Sequence, residues 1–454
     1  MRPRAQIIQK GNRSMAFSLK GVHVPHRKNT ADMPALRMDP PKTVTIPMSM
    51  HIGAPAKPTV KVGDEVKVGT LIAEAGGAVS APIHASVSGK VSKITDFLLA
   101  DGRTVPAVIL ESDGSMTPEP SLAAPTVDSR ESFLEAVRNA GIVGLGGAGF
   151  PTHFKLSVDP EKIEYLIVNG AECEPYVTSD TRTMLDRASD MEIALEAMKT
   201  YLGIKRIVIG VENNKKSSIV SMKELKARIC DNCDVQVKSL PAIYPQGGEK
   251  VLIYHTSGRA VPTGKLPIDV GCVVINCTTL AAIGEYLRTG MPLVEKCVTV
   301  DGGSVKEPKN VIVPIGTAMS EVFDFCGGFS TEPSKIVYGG PMMGITVPDA
   351  SAPVMKNTNA ILALTAKDIR LPKFTACIRC GTCTNTCPFG INPANIERAY
   401  HKRNTVALSE LGLTSCMECG CCSFVCPANR PLVQTNRLAK ALLKEEQAKE
   451  EGKS

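Results

Sequence analysis

Two matched runs of cysteine near the C-terminus limit what this chain can fold into more than any other feature. They read Cys-x2-Cys-x2-Cys-x3-Cys-Pro, from Cys377 to Pro388 and again from Cys416 to Pro427. Three thiolates at this spacing can face one iron–sulfur cluster from a tight loop, and the fourth, before proline, ligates the other cluster. The spacing predicts two 4Fe–4S clusters with crossed ligands. One set is Cys377, Cys380, Cys383 and Cys426, and the other is Cys416, Cys419, Cys422 and Cys387.

Two structural zinc sites are the alternative interpretation of these cysteines. Zinc needs only four ligands and usually shows two separated CxxC pairs, so the double run favours a two-cluster ferredoxin. Half of the 16 cysteines would then serve clusters that form inside reducing cells, which predicts a cytoplasmic compartment. No stretch approaches 18 consecutive apolar residues, so we expect the chain itself not to span a membrane.

Length and composition predict a folded protein of several domains. A chain of 454 residues corresponds to about three domains, and 43% hydrophobic residues can fill several cores. The net charge of +7 is concentrated before Asp32, and residues 1–14 are predicted to form a disordered basic arm, with Met15 as an alternative start. Aromatic residues make up 4% of the chain and Trp is absent, which argues against nucleic-acid binding.

Residues 15–116 are predicted to form a barrel-sandwich domain. Short Val and Ile runs broken by Gly, Pro and Asp predict β-strands, and Val60–Ala73 with Ala81–Val91 looks like the biotinyl and lipoyl carrier domains. Those domains carry a modifiable lysine at a hairpin tip, where this chain has Pro82-Ile83-His84-Ala85. We therefore expect a docking module and not the carrier of a swinging cofactor.

In residues 130–290 the sequence pattern changes, and it predicts an α/β domain with a largely parallel sheet. An amphipathic helix is predicted over Phe133–Ala140, and further strands and helices then alternate along the chain. The predicted strands are Tyr165–Val168, Ile207–Gly210 and Val235–Val237, and the predicted helices are Met184–Tyr201 and Lys216–Ile229.

A glycine-rich loop, Gly141–Lys155, precedes the first of these strands. Glycines at this density let backbone N–H groups approach a phosphate closely, and Lys155 can supply a countercharge. A tight structural turn explains an isolated glycine run equally well.

Four motifs in order resemble the FMN- and NADH-binding flavoprotein subunits of respiratory complex I. They are the glycine loop, Val168–Pro175, Tyr244–Lys250 and Val274–Ala281. The resemblance implies that Gly144, Gly146, Gly147 and Lys155 lie along the FMN phosphate and ribityl chain, and that Phe150 stacks near the nicotinamide. It also assigns to cofactor binding Asn169, Glu172, Gly248, Glu249, Asn276 and Thr279. The chain departs from that family at Leu145, Ala171 and Lys250. No residue is assigned a catalytic role.

The remaining segments complete a four-domain order. Residues 291–350 resemble the small β-grasp domain that follows the flavin domain in the same family, residues 360–435 form the predicted two-cluster domain, and residues 436–454 form a predicted charged helical tail. This order, with the opening Gly21–Lys28, resembles the RnfC family of electron-transport proteins.

The Rnf resemblance implies an oxidoreductase subunit of an ion-translocating complex. Hydride would pass between NAD(H) and FMN, and single electrons would pass through the two clusters. The implied partners are the other Rnf subunits, with ferredoxin reached indirectly, and the implied location is peripheral, on the cytoplasmic side of the membrane. Two alternatives remain: a soluble flavin and iron–sulfur reductase of the cobalamin reductase type, and a non-catalytic wiring subunit without flavin.

Overall fold

The computed structural model of the chain describes residues 20–229, 233–369 and 373–451. The chain divides into two compact units. The larger contains residues 23–373 together with 417–420, and the smaller contains the remaining C-terminal residues with residues 20–22. The predicted basic arm, residues 1–14, lies outside the described residues.

The barrel-sandwich domain consists of two small antiparallel sheets. The first strand of the described residues, β1 (Ala35–Arg37), belongs to another sheet, described below. The barrel strands are β2 (Thr43–Pro47), β3 (Lys57–Pro58), β4 (Glu65–Val66), β5 (Leu71–Glu74), β6 (Ile83–His84), β7 (Gly89–Leu98) and β8 (Thr104–Ser112). They form the orders β2-β8-β7-β4 and β3-β5-β6, around a core that includes Ile46, Ile72 and Ile83.

The α/β domain is built on four parallel strands, as predicted. They are β9 (Tyr165–Gly170), β10 (Arg206–Glu212), β11 (Asp234–Leu240) and β12 (Cys272–Asn276), in the order β11-β10-β9-β12. Side chains of Leu166, Ile167 and Val168 are all buried, because helices cover both faces of a parallel sheet. The strand order reverses between β9 and β12. In open α/β sheets, ligands bind in the crevice that such a reversal creates at the carboxyl ends of the strands.

Seven helices accompany this sheet, and one prediction about them is corrected. They are α1 (Arg130–Asn139), α2 (Thr152–Leu156), α3 (Ser179–Asp186), α4 (Ala188–Leu202), α5 (Lys216–Arg228), α6 (Glu249–Ser257) and α7 (Cys277–Thr289). The single helix predicted over Met184–Tyr201 is two helices that meet at Arg187. The Arg187 side chain pairs with Asp190 and Glu285, which stabilises the break.

A six-stranded sheet follows, with the order β1-β14-β13-β17-β15-β16. Its strands after β1 are β13 (Glu295–Asp301), β14 (Lys309–Pro314), β15 (Lys335–Tyr338), β16 (Ile345–Val347) and β17 (Ala360–Leu364), with one helix, α8 (Met319–Phe325). Two domain boundaries change. Strand β1 lies in the range predicted for the barrel but pairs with β14, and β17 lies in the range predicted for the cluster domain but pairs with β13 and β15.

The smaller unit is helical around its cysteine loops. Its helices are α9 (Thr382–Thr386), α10 (Pro393–His401), α11 (Thr405–Glu410), α12 (Cys421–Phe424) and α13 (Leu432–Glu451). Helix α13 includes most of the predicted charged tail. Its residues Ala439, Leu442 and Leu443 are buried in one core with Ile396 and Leu408, so its first half packs in the domain and is not a solvated tail.

No helix among the residues that the structure describes combines the length and the apolar character needed to cross a membrane.

Candidate functional site

Two predicted flavin residues lie side by side at the strand-order reversal. Asn169 lies near the end of β9 and Asn276 ends β12, and they are register partners. The Asn169 amide donates to Gly247 O over 2.9 Å. The Asn276 side chain accepts hydrogen bonds from the N–H groups of Thr278 and Thr279 and so caps α7. The structure thus brings these two motifs together at the crevice.

The glycine loop reaches the same place through backbone contacts. Leu145 N–H donates to the Thr279 hydroxyl over 2.9 Å, and Gly144 N–H donates to Phe150 O over 2.8 Å. A Cβ at Gly146 would lie 2.3 Å from the Asn276 amide nitrogen, so only glycine fits there. A Cβ at Gly147 would have no neighbour within 4 Å, which leaves space beside the loop.

The exposed side of the loop offers unpaired donors. Among the described residues, no hydrogen bond joins the N–H groups of Gly146, Gly147 or Ala148 to a protein acceptor. Successive unpaired backbone N–H groups form concavities that bind phosphate and other anions. The donor set and the open space at Gly147 therefore fit the phosphate end of FMN.

Four further predicted residues lie in or just before α2 and α6. Lys155 Nζ and Glu249 Oε1 form an ion pair of 2.6 Å, with 34% and 41% of their side chains exposed. Gly248 precedes Glu249 as the N-terminal cap of α6. Phe150 packs edge-on against Phe154, with ring centroids 5.9 Å apart. The lysine is thus paired with a second predicted residue and keeps part of its surface in solvent.

Glu172 is deeply buried and bonded to protein groups. Its carboxylate accepts from the N–H groups of Asp180 and Thr181, from the Thr181 hydroxyl and from Lys215 Nζ at 2.8 Å. Burial alone would raise the pKa of Glu172, but attraction to Lys215 and Lys28 outweighs it and holds the pKa below its usual value. These bonds give Glu172 a structural role, and its predicted contact with flavin stays a prediction.

Sequence reasoning assigned no role to Lys28, which is tied to the loop after β9. Its Nζ donates to the backbone oxygens of Glu172 at 2.8 Å, Glu174 at 2.7 Å and Val177 at 2.5 Å. Burial is the main reason that its pKa falls to about 8. The one sequence signal was the opening Gly21–Lys28, which marked the family resemblance but suggested no contact.

Glu174 connects the same loop to the six-stranded sheet. Its carboxylate accepts from the N–H groups of Met342 at 3.0 Å and Met343 at 2.8 Å. Burial raises the pKa of Glu174 to about 7. The loop that follows β9 is therefore fixed from two other parts of the larger unit.

The hairpin tip of the barrel domain differs from a modifiable site. His84 is buried, and burial lowers its pKa to about 3. A side chain so enclosed is not presented for covalent modification, and the docking role of this domain stays a prediction.

The two cysteine loops repeat one backbone conformation. Arg379 and Gly381 have φ values of 57° and 77°, and the matching Glu418 and Gly420 have 61° and 80°. Left-handed residues at alternate positions form the type of backbone concavity found at many iron–sulfur sites. A short helix follows each loop, α9 in the first run and α12 in the second.

Buried contacts in the smaller unit bring cysteines of the two runs together, and the crossed ligand scheme stays a prediction. Cys387 and Cys416 belong to one hydrophobic cluster, and Cys383 and Cys426 to another, which also contains Cys422. The Asn436 amide donates to Cys416 Sγ over 3.4 Å. In the described residues, no three His, Cys, Asp or Glu side chains are arranged to chelate a single metal ion.

Comparison with known proteins follows the domain order seen in the structure. The RnfC barrel sandwich hybrid domain matches residues 17–115, the Nuo51 FMN-binding domain residues 137–285, the SLBB domain residues 297–346 and a 4Fe-4S dicluster domain residues 372–427.

Similar proteins match most of the chain. The RnfC-type component of the Na⁺-translocating ferredoxin:NAD⁺ oxidoreductase complex of Acetobacterium woodii is 44% identical over 85% of this chain and 87% of the relative. The chain belongs to the RnfC family. Other RnfC relatives come from the proton-translocating complex of Clostridium ljungdahlii, 43% identical over 83% of each chain, and from the ion-translocating complex of Rhodobacter capsulatus, 40% identical over 96% of this chain and 85% of the relative.

The RnfC assignment confirms the predicted fold class, the FMN-binding domain and the two-cluster domain. It also favours the Rnf interpretation over the soluble cobalamin reductase alternative. Among solved structures, the NAD⁺-reducing [NiFe]-hydrogenase in its H₂-reduced state matches with a TM-score of 0.49 and 18% identity over 69% of this chain and 61% of that chain, a likeness that adds nothing to the assignment.

Proposed function

We propose that this RnfC chain is the NAD(H)-interacting subunit of an ion-translocating NAD:ferredoxin oxidoreductase. The observation that carries the proposal is the crevice between β9 and β12, where the glycine loop, Asn169 and Asn276 meet. Bound FMN supplies the exchange between a two-electron hydride and single electrons, which iron–sulfur clusters carry one at a time.

The residues of the chain bind and orient the reactants. The N–H groups of Gly146, Gly147 and Ala148 hold the FMN phosphate, with Lys155 as countercharge. Asn169 and Asn276 lie beside the flavin, and the remaining members of this set are Gly144, Glu172, Gly248, Glu249 and Thr279. Phe150 packs near the nicotinamide. The larger unit then serves hydride exchange, and the cysteine loops serve single-electron transfer.

The proposed surroundings follow from the relatives. The Acetobacterium woodii and Clostridium ljungdahlii relatives belong to ferredoxin:NAD⁺ oxidoreductases that translocate Na⁺ and protons, respectively. We place this chain on the cytoplasmic side of the membrane, as a peripheral component among the other Rnf subunits. Ferredoxin would be reached through a partner subunit and not directly.

The flavin role is tested with the purified full-length chain. Loaded with FMN, it should oxidise NADH with ferricyanide as the acceptor. Gly147→Ala and Gly147→Val should progressively lower the FMN to protein ratio while the thermal unfolding midpoint stays near wild type, because the added atoms enter open space beside the loop. Equal flavin content in all three proteins would place the cofactor elsewhere. A flavin-loaded wild type that never reacts with NADH would favour the non-catalytic wiring subunit, as the departures at Leu145, Ala171 and Lys250 would allow.

The crossed ligand scheme is tested by comparing single-cysteine variants. Cys387→Ser should change the same electron paramagnetic resonance signal as Cys416→Ser, and Cys426→Ser the same signal as Cys383→Ser. Wild type should contain about eight irons per chain, as two 4Fe–4S clusters. If Cys387→Ser instead matched Cys383→Ser, each run would hold its own cluster and the scheme would be wrong.

A further inference from the structure

The back of the glycine loop is held by three side chains from residues 296–357. Lys356 Nζ donates to Gly141 O over 2.7 Å, and Lys296 Nζ donates to Leu145 O over 3.0 Å. The Asn357 amide donates to Gly147 O, also over 3.0 Å. Three carbonyl groups along one short loop are therefore each bonded by a donor from outside the flavin domain.

Two of these donors are buried ammonium groups. Lys296 is 3% exposed and Lys356 is fully buried, and Lys356 also donates to Pro82 O over 2.7 Å. Burying a charge costs free energy that an apolar side chain of similar size would avoid. What each ammonium adds in return is a charged donor that fixes the direction of a loop carbonyl.

The direction of each carbonyl sets the direction of the next N–H. In a trans peptide the C=O and the following N–H point to opposite sides. The carbonyls of Leu145 and Gly147 are held at the back of the loop, so the N–H groups of Gly146 and Ala148 point to the other side. These two N–H groups bond to no described protein acceptor.

We propose that Lys296, Lys356 and Asn357 are positioning residues for the phosphate group of FMN. They touch the loop and not the cofactor. Lys296 and Asn357 keep the N–H groups of Gly146 and Ala148 turned toward the anion, and Lys356 fixes the start of the loop at Gly141. Burial lowers the pKa of Lys296 to about 8 and that of Lys356 to about 7, so near neutral pH the Lys296 ammonium is the more fully populated charge that attracts a phosphate to the loop. This proposal rests on the proposed flavin site and goes beyond it, because it assigns phosphate recognition partly to residues that follow the flavin domain in sequence.

The test compares FMN with riboflavin, which lacks the phosphate, on the full-length apo-flavin chain with its clusters intact. Lys296→Met and Lys356→Met should each weaken FMN binding by about tenfold, the effect of one lost charge-assisted hydrogen bond, and Asn357→Leu should weaken it by about fivefold, the effect of one lost neutral hydrogen bond. All three variants should leave riboflavin binding within about twofold. Lys309→Met is the matched control, since Lys309 lies in the same sheet but bonds to Glu307 and Phe325 O. It should change neither affinity.

The ratio of the two affinities separates positioning from folding. A misfolded fraction loses FMN and riboflavin alike, so it cannot change the ratio. If the variants weaken both flavins equally, or neither, the positioning role is refuted. If wild type binds FMN no more tightly than riboflavin, it is refuted as well. Failure of wild type to bind any flavin would instead overturn the proposed function.

Discussion

Replacing Glu172 with glutamine removes one partner of a buried ion pair. The glutamine keeps an oxygen that can accept, but its amide nitrogen cannot accept from Thr181 or from Lys215. Among the described residues, the buried Lys215 ammonium would then keep only the Glu212 carboxylate, 3.8 Å away, as an ion-pair partner. Removing one partner of such a pair costs about 3–5 kcal/mol.

This free energy corresponds to a large shift of the thermal midpoint. At about 2–4 °C per kcal/mol for a domain of 150–250 residues, we expect Glu172→Gln to lower the midpoint by roughly 6–20 °C. The measurement is thermal unfolding of the chain without flavin, followed by circular dichroism. Omitting flavin keeps any cofactor contact of Glu172 out of the result.

The double variant shows whether the pair is responsible. Lys215→Met alone should also lower the free energy of unfolding. The double variant, Glu172→Gln with Lys215→Met, should lower it by less than the sum of the two single-variant decreases. A Glu172→Gln chain that unfolds within about 2 °C of wild type but no longer binds FMN would refute this reasoning, because a shift that small is far below the cost of breaking a buried pair. Glu172 would then act on the cofactor directly.

Three further perturbations have defined outcomes. Lys28→Met should weaken the binding of FMN and of riboflavin alike, by about tenfold or more, because it removes hydrogen bonds to the loop after β9 and none to the glycine loop. Unchanged affinities in flavin titrations would contradict this. Asn436→Leu should lower the midpoint potential of the cluster that contains Cys416 by about 40 mV, the loss of roughly 1 kcal/mol of hydrogen bonding to sulfur, in a redox titration. His84 has its pKa lowered to about 3, so the unfolded chain takes up its proton first and stability falls as pH drops from 6.5 toward 3. Between pH 7.5 and pH 5, the free energy of unfolding of His84→Gln should therefore fall by about 2 kcal/mol less than that of wild type, as measured by urea unfolding.

The sequence predicted those strands and loops whose conformation depends on neighbouring residues in the chain. Short β-branched runs predicted β9, β10 and β11, and fixed spacing predicted the repeated cysteine loops, because neighbouring residues decide both. The run Ala360–Leu364 is apolar throughout, and such a run does not reveal which sheet it joins. Its pairing with β13 and β15 depends on residues far away in sequence.

Single long-range contacts were the hardest features of the site to predict. Lys28, Lys296 and Lys356 each act on a loop more than 100 residues away, and a lone lysine in a sequence most often indicates an exposed side chain. The glycine loop and the two asparagines could be predicted because each lies in a recognisable motif. The side chains that hold those motifs in place have no motif of their own.

The pairing of β1 with β14 has a consequence for synthesis on the ribosome. Leu36 pairs with Val311, so β1 cannot pair with its neighbour until residues near 311 have been made. At about 5–20 residues per second, that delay is roughly 15–55 s. During this interval residues Ala35–Arg37 have no sheet to join. Strand β1 is therefore added late, after residues 130–290 of the flavin domain have already been made.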